Sequence, residues 1–361
     1  FQKYIFCGDI FGYAYGSFVV EMTDASEANG IILGRTTEEF ALTQAGERIS
    51  LTELQAVHEN KLESVYPCNI QVKTKRIPAF SYETTLRAAP SVGSARPKVL
   101  IPVFPGTNCE YDSARAFEQA GAEVEIGVFR NLTPAMIQSS VDEYVRRIND
   151  AQIVMFPGGF SAGDEPDGSA KFFATAFRDA KIKEALMNLL NKRDGLVLGI
   201  CNGFQALVKL GLLPYGEIID AQKPDSPTLT FNTINRHISK MVYTKVVSNK
   251  SPWLSSAALG SVYVNPASHG EGRFVATGEW LDRLIENGQV ATLYCDPDGK
   301  IFMDETWNVN GSFNAIEGIT SADGRVYGKM AHAERRAEFV NVNIYGEQDM
   351  NIFESGVNYF K

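Results

Sequence analysis

The alternation of short apolar runs with helical patterns between Val99 and Cys201 is what most limits the folds open to this chain. Val99 to Phe104 is an apolar run closed by Pro105-Gly106, which reads as a buried strand and a turn. A helix is expected from Asp112, with Ala114, Phe117 and Ala120 on one face and Gly121 as its stop. Val124 to Phe129 reads as a second strand. Thr133-Pro134 is a capping residue followed by proline at the first helical position, and the helix it opens runs to about Ile148. Ile153 to Phe156 reads as a third strand, ending in Pro157-Gly158-Gly159. One long helix is expected from Ser169 to Asn191, then a fourth strand from Leu196 to Ile200, with a further helix just beyond Cys201. Strands that alternate with helices predict an α/β fold, a parallel sheet flanked by helices on both faces. In such sheets functional groups gather at the carboxyl ends of the strands. From about Phe231 onward the strand patterns lie closer together and the periodicity no longer assigns them.

The segment Ala88 to Lys98 (AAPSVGSARPK) is rich in Ala, Ser and Pro, has no hydrophobic period and reads as a linker over 88–98. Before it, Phe18-Val19-Val20-Glu21 and Gly30 to Gly34 read as strands, and Leu51 to Tyr66 as one helix. That is too little for an independent domain. The chain begins at Phe1 rather than Met, which suggests a piece of something longer.

Composition narrows the partners. With 34 basic against 43 acidic residues the net charge is −9, the wrong sign for a general nucleic-acid binder. The 5 cysteines are odd in number and contain no Cys-x-x-Cys pair, so neither a disulfide framework nor a zinc knuckle is expected, and a reducing cytoplasm is. The first twenty residues lack a signal-peptide apolar region, and runs such as Leu196 to Cys201 are too short to span a bilayer. The expectation is a cytoplasmic chain with neither membrane nor nucleic acid as partner, and no metal ligand set.

The strongest chemical signal is Gly199-Ile200-Cys201-Asn202-Gly203. A buried strand runs into a helix through a residue flanked at two positions on either side by glycine, the pattern of a nucleophile elbow. A helix N-terminus just after the residue favours an anion, so a thiol there is expected to ionise more readily than a free cysteine. The same pentapeptide suits a buried structural cysteine beside a turn. The other four cysteines have no such context and read as structural. A thiol nucleophile needs a base and a group that orients it. Of the 4 histidines, His332 stands in Met330-Ala331-His332-Ala333-Glu334-Arg335, where Glu334 can project with it and fix its tautomer. A polar surface cluster is the competing reading of that hexapeptide. The loop Phe156-Pro157-Gly158-Gly159-Phe160 ends the strand before the nucleophile strand, so its N–H groups, with that of Asn202, could form an oxyanion hole. Taken alone, a Gly-Gly pair is usually only a turn.

The elbow GICNGFQ (Gly199 to Gln205), the loop FPGGFSAGD (Phe156 to Asp164) and the late His-x-Glu resemble a class I, or triad, glutamine amidotransferase domain. More narrowly, PGTNCEYD (Pro105 to Asp112), CNGFQALVKLGLLP (Cys201 to Pro214) and SHGEGRF (Ser268 to Phe274) are similar to the glutaminase of the phosphoribosylformylglycinamidine synthase family. The resemblance covers the chain from about Pro97 to its end and implies a flavodoxin-like domain over 99–361. Residues Gly30 to Pro67 resemble the C-terminal end of the aminoimidazole-ribonucleotide-synthetase-like lobe in the large single-chain form, which would make 1–87 an α+β remnant of that lobe.

The resemblance implies that Cys201 attacks glutamine, that His332 oriented by Glu334 moves the protons, and that Gly158, Gly159, Phe160, Asn202, Gln205 and Asn232 bind glutamine or its oxyanion. It places Asn232 to His237 where the family contacts glutamine and the synthetase, and makes His269 a candidate interface residue. Ammonia would pass to upstream synthetase lobes of the same polypeptide, where ATP with magnesium activates formylglycinamide ribonucleotide. No P-loop stands in this chain, so ATP and magnesium are expected in the full-length enzyme and no cofactor here. One departure is visible: the family commonly has His-Pro-Glu-Arg where this chain has His332-Ala333-Glu334-Arg335, and alanine lacks the fixed φ of proline. Two other readings stand beside it, a chaperone-like thiol hydrolase on the same framework and a non-catalytic regulatory module. In the hydrolases a histidine commonly follows the cysteine directly, whereas Asn202 does so here.

Overall fold

The computed structural model describes residues 15–16, 18–24, 32–61, 77, 79–160 and 169–361. The chain divides into two compact units, Phe1–Asn69 and Ile70–Lys361. In the first, Ala41–Gln44 (β1) and Glu47–Ser50 (β2) pair as an antiparallel hairpin, and Leu51–Asn60 (α1) follows. The two loop residues Ala45 and Gly46 both have positive φ, the backbone twist that a two-residue hairpin turn requires. Residues 62–66 of the expected longer helix lie outside the described residues. Phe18 to Glu21, expected as a strand, forms none: its apolar side chains are exposed, and a short extended segment needs a paired ladder to persist. Of the other expected strand, residues 30 and 31 lie outside the described residues and 32–34 form no strand.

The second unit alternates as the apolar runs require. Lys98–Val103 (β3), Glu110–Gln119 (α2), Glu123–Val128 (β4), Pro134–Asp150 (α3) and Ile153–Phe156 (β5) come first. Thr133 caps α3 by accepting from the Met136 N–H, with Pro134 at the first position. The single helix expected over 169–191 is two, Lys171–Phe177 (α4) and Ala180–Lys192 (α5). Asp179 breaks it, because its carboxylate accepts from the N–H groups of Lys181 and Ile182 and starts a new helix. Leu196–Ile200 (β6), Asn202–Leu210 (α6) and Leu212–Tyr215 (α7) follow. The rest is Thr228–Thr230 (β7), Ile238–Val246 (β8), Val262–His269 (β9), Arg273–Val275 (β10), Gly278–Glu286 (α8), Val290–Cys295 (β11), Ile316–Thr320 (β12), Val326–Lys329 (β13) and Ile352–Asn358 (α9).

Among the described residues the main sheet has the order β4-β3-β5-β6-β13-β12-β11-β8-β9. It is mixed rather than parallel throughout, which corrects the expectation. β4, β3, β5, β6 and β13 run parallel, whereas β12, β11, β8 and β9 add antiparallel strands. The cause is connection length: the short turn between β12 and β13 permits only antiparallel pairing, whereas parallel pairing needs the helical crossovers found earlier in the chain. The segment expected as a linker, 88–98, lies in this second unit and is tied to it. The Ser91 N–H donates to Asp194 Oδ2 (3.1 Å), the Ser94 N–H donates to the Phe360 carbonyl (2.7 Å), and Lys98 opens β3.

Every residue of β5 and β6 is buried, as central parallel strands must be. The first turn of α6 packs onto their carboxyl ends with no room to spare. A Cβ on Gly203 would collide with the Phe156 backbone carbonyl, and one on Gly199 would come within 2.8 Å of the Gly203 carbonyl carbon. Gly203→Ala should therefore cost about 1–3 kcal/mol by overpacking. Gly278→Ala, at a helix start with open space around it, should cost nothing measurable. Denaturant titration followed by circular dichroism compares the two, and equal midpoints would contradict this packing.

Candidate active site

Strands β6 and β13 are parallel neighbours, with Lys329 opposite Ile200, so the residues that follow each strand leave the sheet at one edge. The Cys201 N–H donates to the Lys329 carbonyl at 2.9 Å. Cys201 itself has φ +54° and ψ −108°, a strained conformation for a residue with a Cβ, and α6 begins at the next residue. The elbow expected from the glycine spacing is therefore formed. Beyond β13 the chain turns, and it brings the two expected side chains together. His332 Nδ1 lies 2.6 Å from Glu334 Oε1, and both side chains are buried. Burial alone would raise the Glu334 carboxyl, but the charge of His332 and the hydrogen bond from it hold the group below the usual carboxylate range. The hydrogen bond to the carboxylate requires a proton on Nδ1, and His332 Nε2 is buried with no hydrogen-bond partner.

The readily ionised thiol expected at Cys201 is not what the structure shows. Burial pushes the thiol well above the usual cysteine range, and the neighbouring Cys109 and Glu334 push it the same way. The charge of Arg335, and after it a hydrogen bond from the Asn202 N–H, oppose them and are outweighed. The helix N-terminus stabilises an anion, but in a site from which water is excluded desolvation is the larger effect. The thiol donates to the Ser268 carbonyl at 3.6 Å.

The Gly-Gly loop is seated by bonds to residues 106–109. Gly158 O accepts from the N–H groups of Asn108 and Cys109, and the Phe160 N–H donates to Gly106 O at 2.7 Å. Those bonds use neither the Gly158 nor the Gly159 N–H, and they commit that of Phe160, whose side chain is half-exposed near His237. Gly159 has φ +142° and no space for a Cβ. A Cβ on Gly158 would come within 2.7 Å of the His332 ring and 2.9 Å of the Cys109 sulfur, so this loop forms a wall of the site.

Two of the residues expected to bind glutamine are occupied in holding the site together. Gln205 Oε1 accepts from Asn202 Nδ2 (2.9 Å), and Gln205 Nε2 donates to the Glu271 carbonyl. Asn232 Nδ2 donates to the carbonyls of Arg236 and His269, while its Oδ1 accepts from His269 Nδ1 and the Gly272 N–H. A carboxamide has no further capacity once two donors and two lone pairs are in use, so Asn232 ties the 268–274 segment in place instead of meeting a ligand. His269, a candidate for an interface, is buried there.

Two residues of the site carried no role in the sequence reading. Cys109, read as structural, lies with its sulfur 4.0 Å from His332 Nδ1, and Arg335 Nη2 donates to that sulfur at 3.1 Å. The motif PGTNCEYD held the signal, because the turn after a parallel strand points its residues at the same sheet edge. Burial raises the Cys109 thiol to about 11. Donor atoms of Cys109, His332 and Glu334 all lie within 4.8 Å of one another, as a metal would need. The Arg335 guanidinium on that sulfur makes the cluster a poor seat for a cation. No described helix is long and apolar enough to cross a membrane.

Cys201 stands on its elbow at the end of β6, the buried His332–Glu334 pair follows the neighbouring β13, and the Gly158–Gly159 loop ends β5 at the same sheet edge. The family model of the CobB/CobQ-like glutamine amidotransferase domain matches residues 96–360, and the chain belongs to that family. It is similar to phosphoribosylformylglycinamidine synthase subunit PurQ of Methanococcus maripaludis, with 34% identity over 287 residues, 73% of this chain and 97% of that one. PurQ of Archaeoglobus fulgidus is 36% identical over 248 residues, 66% of this chain and 87% of that one. Among solved structures, that of PurLQS from Thermotoga maritima superposes with a TM-score of 0.52 at 28% identity, covering 74% of this chain and 100% of that one. The chain is thus a glutamine amidotransferase of the phosphoribosylformylglycinamidine synthase type, a ligase with glutamine as nitrogen donor.

Two measurements probe this geometry. At the strained φ and ψ of position 201, Cys201→Gly should be more stable than Cys201→Ala by about 1 kcal/mol. An alanine variant that melts higher would contradict the strain. Burial first, then the charges of His332 and His237, lower His269 to about 3. The unfolded chain takes up a proton near pH 6.5 that the folded chain refuses, so stability falls as pH drops below about 6.5 and goes on falling towards 3. Between pH 7 and 4.5 the protein should lose on the order of 2 kcal/mol more than His269→Asn does. Parallel pH profiles of unfolding free energy would show that His269 accepts its proton in place.

Proposed function

We propose that this domain releases ammonia from glutamine for the conversion of formylglycinamide ribonucleotide to formylglycinamidine ribonucleotide in purine biosynthesis, with Cys201, His332 and Glu334 as its catalytic residues. The observation that carries the reading is the buried 2.6 Å pair of His332 and Glu334 at the sheet edge where Cys201 stands on its elbow. Cys201 Sγ attacks the carboxamide carbon of glutamine. Because burial keeps the thiol protonated, its proton passes to His332 Nε2 as the carbon–sulfur bond forms, so no standing thiolate is needed. Glu334 supports the imidazolium and does not itself take the proton. The oxyanion is held by the Asn202 N–H with those of Gly158 and Gly159. The imidazolium returns its proton to the departing nitrogen, ammonia leaves, and a glutamyl thioester remains on Cys201. His332 then deprotonates water for attack on the thioester, giving glutamate and the free thiol.

ATP and magnesium belong to the synthetase part of the enzyme, and no step of glutamine hydrolysis uses them. We infer that this part precedes the glutaminase in one polypeptide, on the resemblance of Gly30 to Pro67 to a synthetase lobe, and that ammonia is delivered within the assembly in the cytoplasm.

The test uses the intact enzyme with its synthetase part. A chloroketone analogue of glutamine should label Cys201 during turnover. Cys201→Ala should abolish glutamine-dependent synthesis and leave synthesis from added ammonia at its former rate. Labelling elsewhere, or equal loss of both activities, would overturn the assignment.

A further inference from the structure

Beneath the catalytic residues lies an ion pair that no step above uses. Lys329, the last residue of β13, and Glu317, on β12, are both fully buried, with Lys329 Nζ 3.2 Å from Glu317 Oε1. Burying two charges is costly, and such a pair by itself is weak grounds for stability. Its contacts show what it holds. Glu317 Oε1 also accepts from the N–H groups of Met330 (3.1 Å) and Ala331 (2.8 Å), while Lys329 Nζ donates to the Ala331 carbonyl at 2.7 Å. Thr292 Oγ1 fixes the other carboxylate oxygen. The pair therefore grips the peptide groups on both sides of Ala331, the residue before His332. The Lys329 carbonyl meanwhile accepts the Cys201 N–H at 2.9 Å. One residue thus touches the backbone of the nucleophile through its main chain and the backbone leading to the base through its side chain. Gly318, opposite Lys329, makes the approach possible: a Cβ there would lie 3.1 Å from Lys329 Cβ and 2.6 Å from Thr292 Oγ1.

We infer that Glu317 and Lys329 are positioning residues that set His332 against Cys201 by clamping the Met330–Ala331 backbone. The chain beyond β13 is thereby held from its N-terminal side, where Ala333 itself fixes no φ. The inference rests on the reading of His332 as the base. Misplacing a catalytic group by about 1 Å costs about 100-fold in rate, while substrate contacts need not change.

The experiment uses the intact enzyme with its synthetase part. Lys329→Met alone strands a buried carboxylate, so the decisive variant is Glu317→Gln combined with Lys329→Met, which removes both charges at similar volume. The double variant should unfold cooperatively like the parent and keep ammonia-dependent synthesis. Its glutamine-dependent kcat should fall about 100-fold, with KM for glutamine within about threefold. In the Glu317→Gln background, Lys329→Gln, which keeps a donor towards Ala331, should recover at least about tenfold of that loss relative to Lys329→Met. A folded double variant with the parent kcat, or a loss confined to KM, would overturn the inference, as would equal rates for Lys329→Gln and Lys329→Met in the Glu317→Gln background. His332→Gln separates the two claims. If it stays active, the assignment of the base fails; if it is inactive while the double variant is unimpaired, only the clamp fails.

Discussion

The structure depends on the parallel pairing of β13 with β6. Residues 200 and 329 are far apart in sequence, and only this register, with the Cys201 N–H on the Lys329 carbonyl, puts the ends of the two strands side by side. Everything chemical follows from that edge. Cys201 turns out of β6 on a strained elbow, and His332 and Glu334 turn out of the segment after β13. The loop after β5 supplies the glycine wall, and the turn after β3 supplies Cys109. A parallel sheet delivers its strands' carboxyl ends to one side, so four separate stretches of chain converge without long-range design beyond strand order.

Burial sets the working state of the site. Burial holds the Cys201 thiol protonated, so the proposed attack needs a base already in place. The carboxylate at Glu334 keeps its charge despite burial because His332 compensates it. In the proposed mechanism, placement of the imidazole therefore carries more of the catalytic burden than thiol acidity does. Asn232, Gln205, Glu317 and Lys329 each use at least one polar atom to fix main chain around the site.

Much of this was legible in the sequence. The strands β3 to β6 and the helix after Cys201 follow from apolar period and from Gly and Pro punctuation, and the elbow from glycines flanking one cysteine. What was not legible depended on tertiary contacts. Asp179 splits a helix that the apolar period ran straight through, because a capping side chain outcompetes continuation there. The antiparallel half of the sheet escaped because closely spaced strands carry no partner information. Cys109 escaped because its context is a turn rather than an elbow, and burial of Cys201 reversed the sign of the thiol shift that a helix N-terminus alone would give. Asn232, a residue type suited to ligand contact, proved to be saturated by its own chain, and Gln205 to be engaged by Asn202 and Glu271, which no spacing rule reveals.

The central claim is that Cys201, not the neighbouring Cys109, forms the covalent intermediate. Rapid acid quench of the intact enzyme during glutamine turnover, followed by peptide mass spectrometry, tests it directly. The account predicts a glutamyl thioester on the peptide that carries Cys201 and none on the peptide that carries Cys109. A glutamyl adduct on Cys109, or turnover with no adduct on either cysteine even when deacylation is slowed, would contradict it.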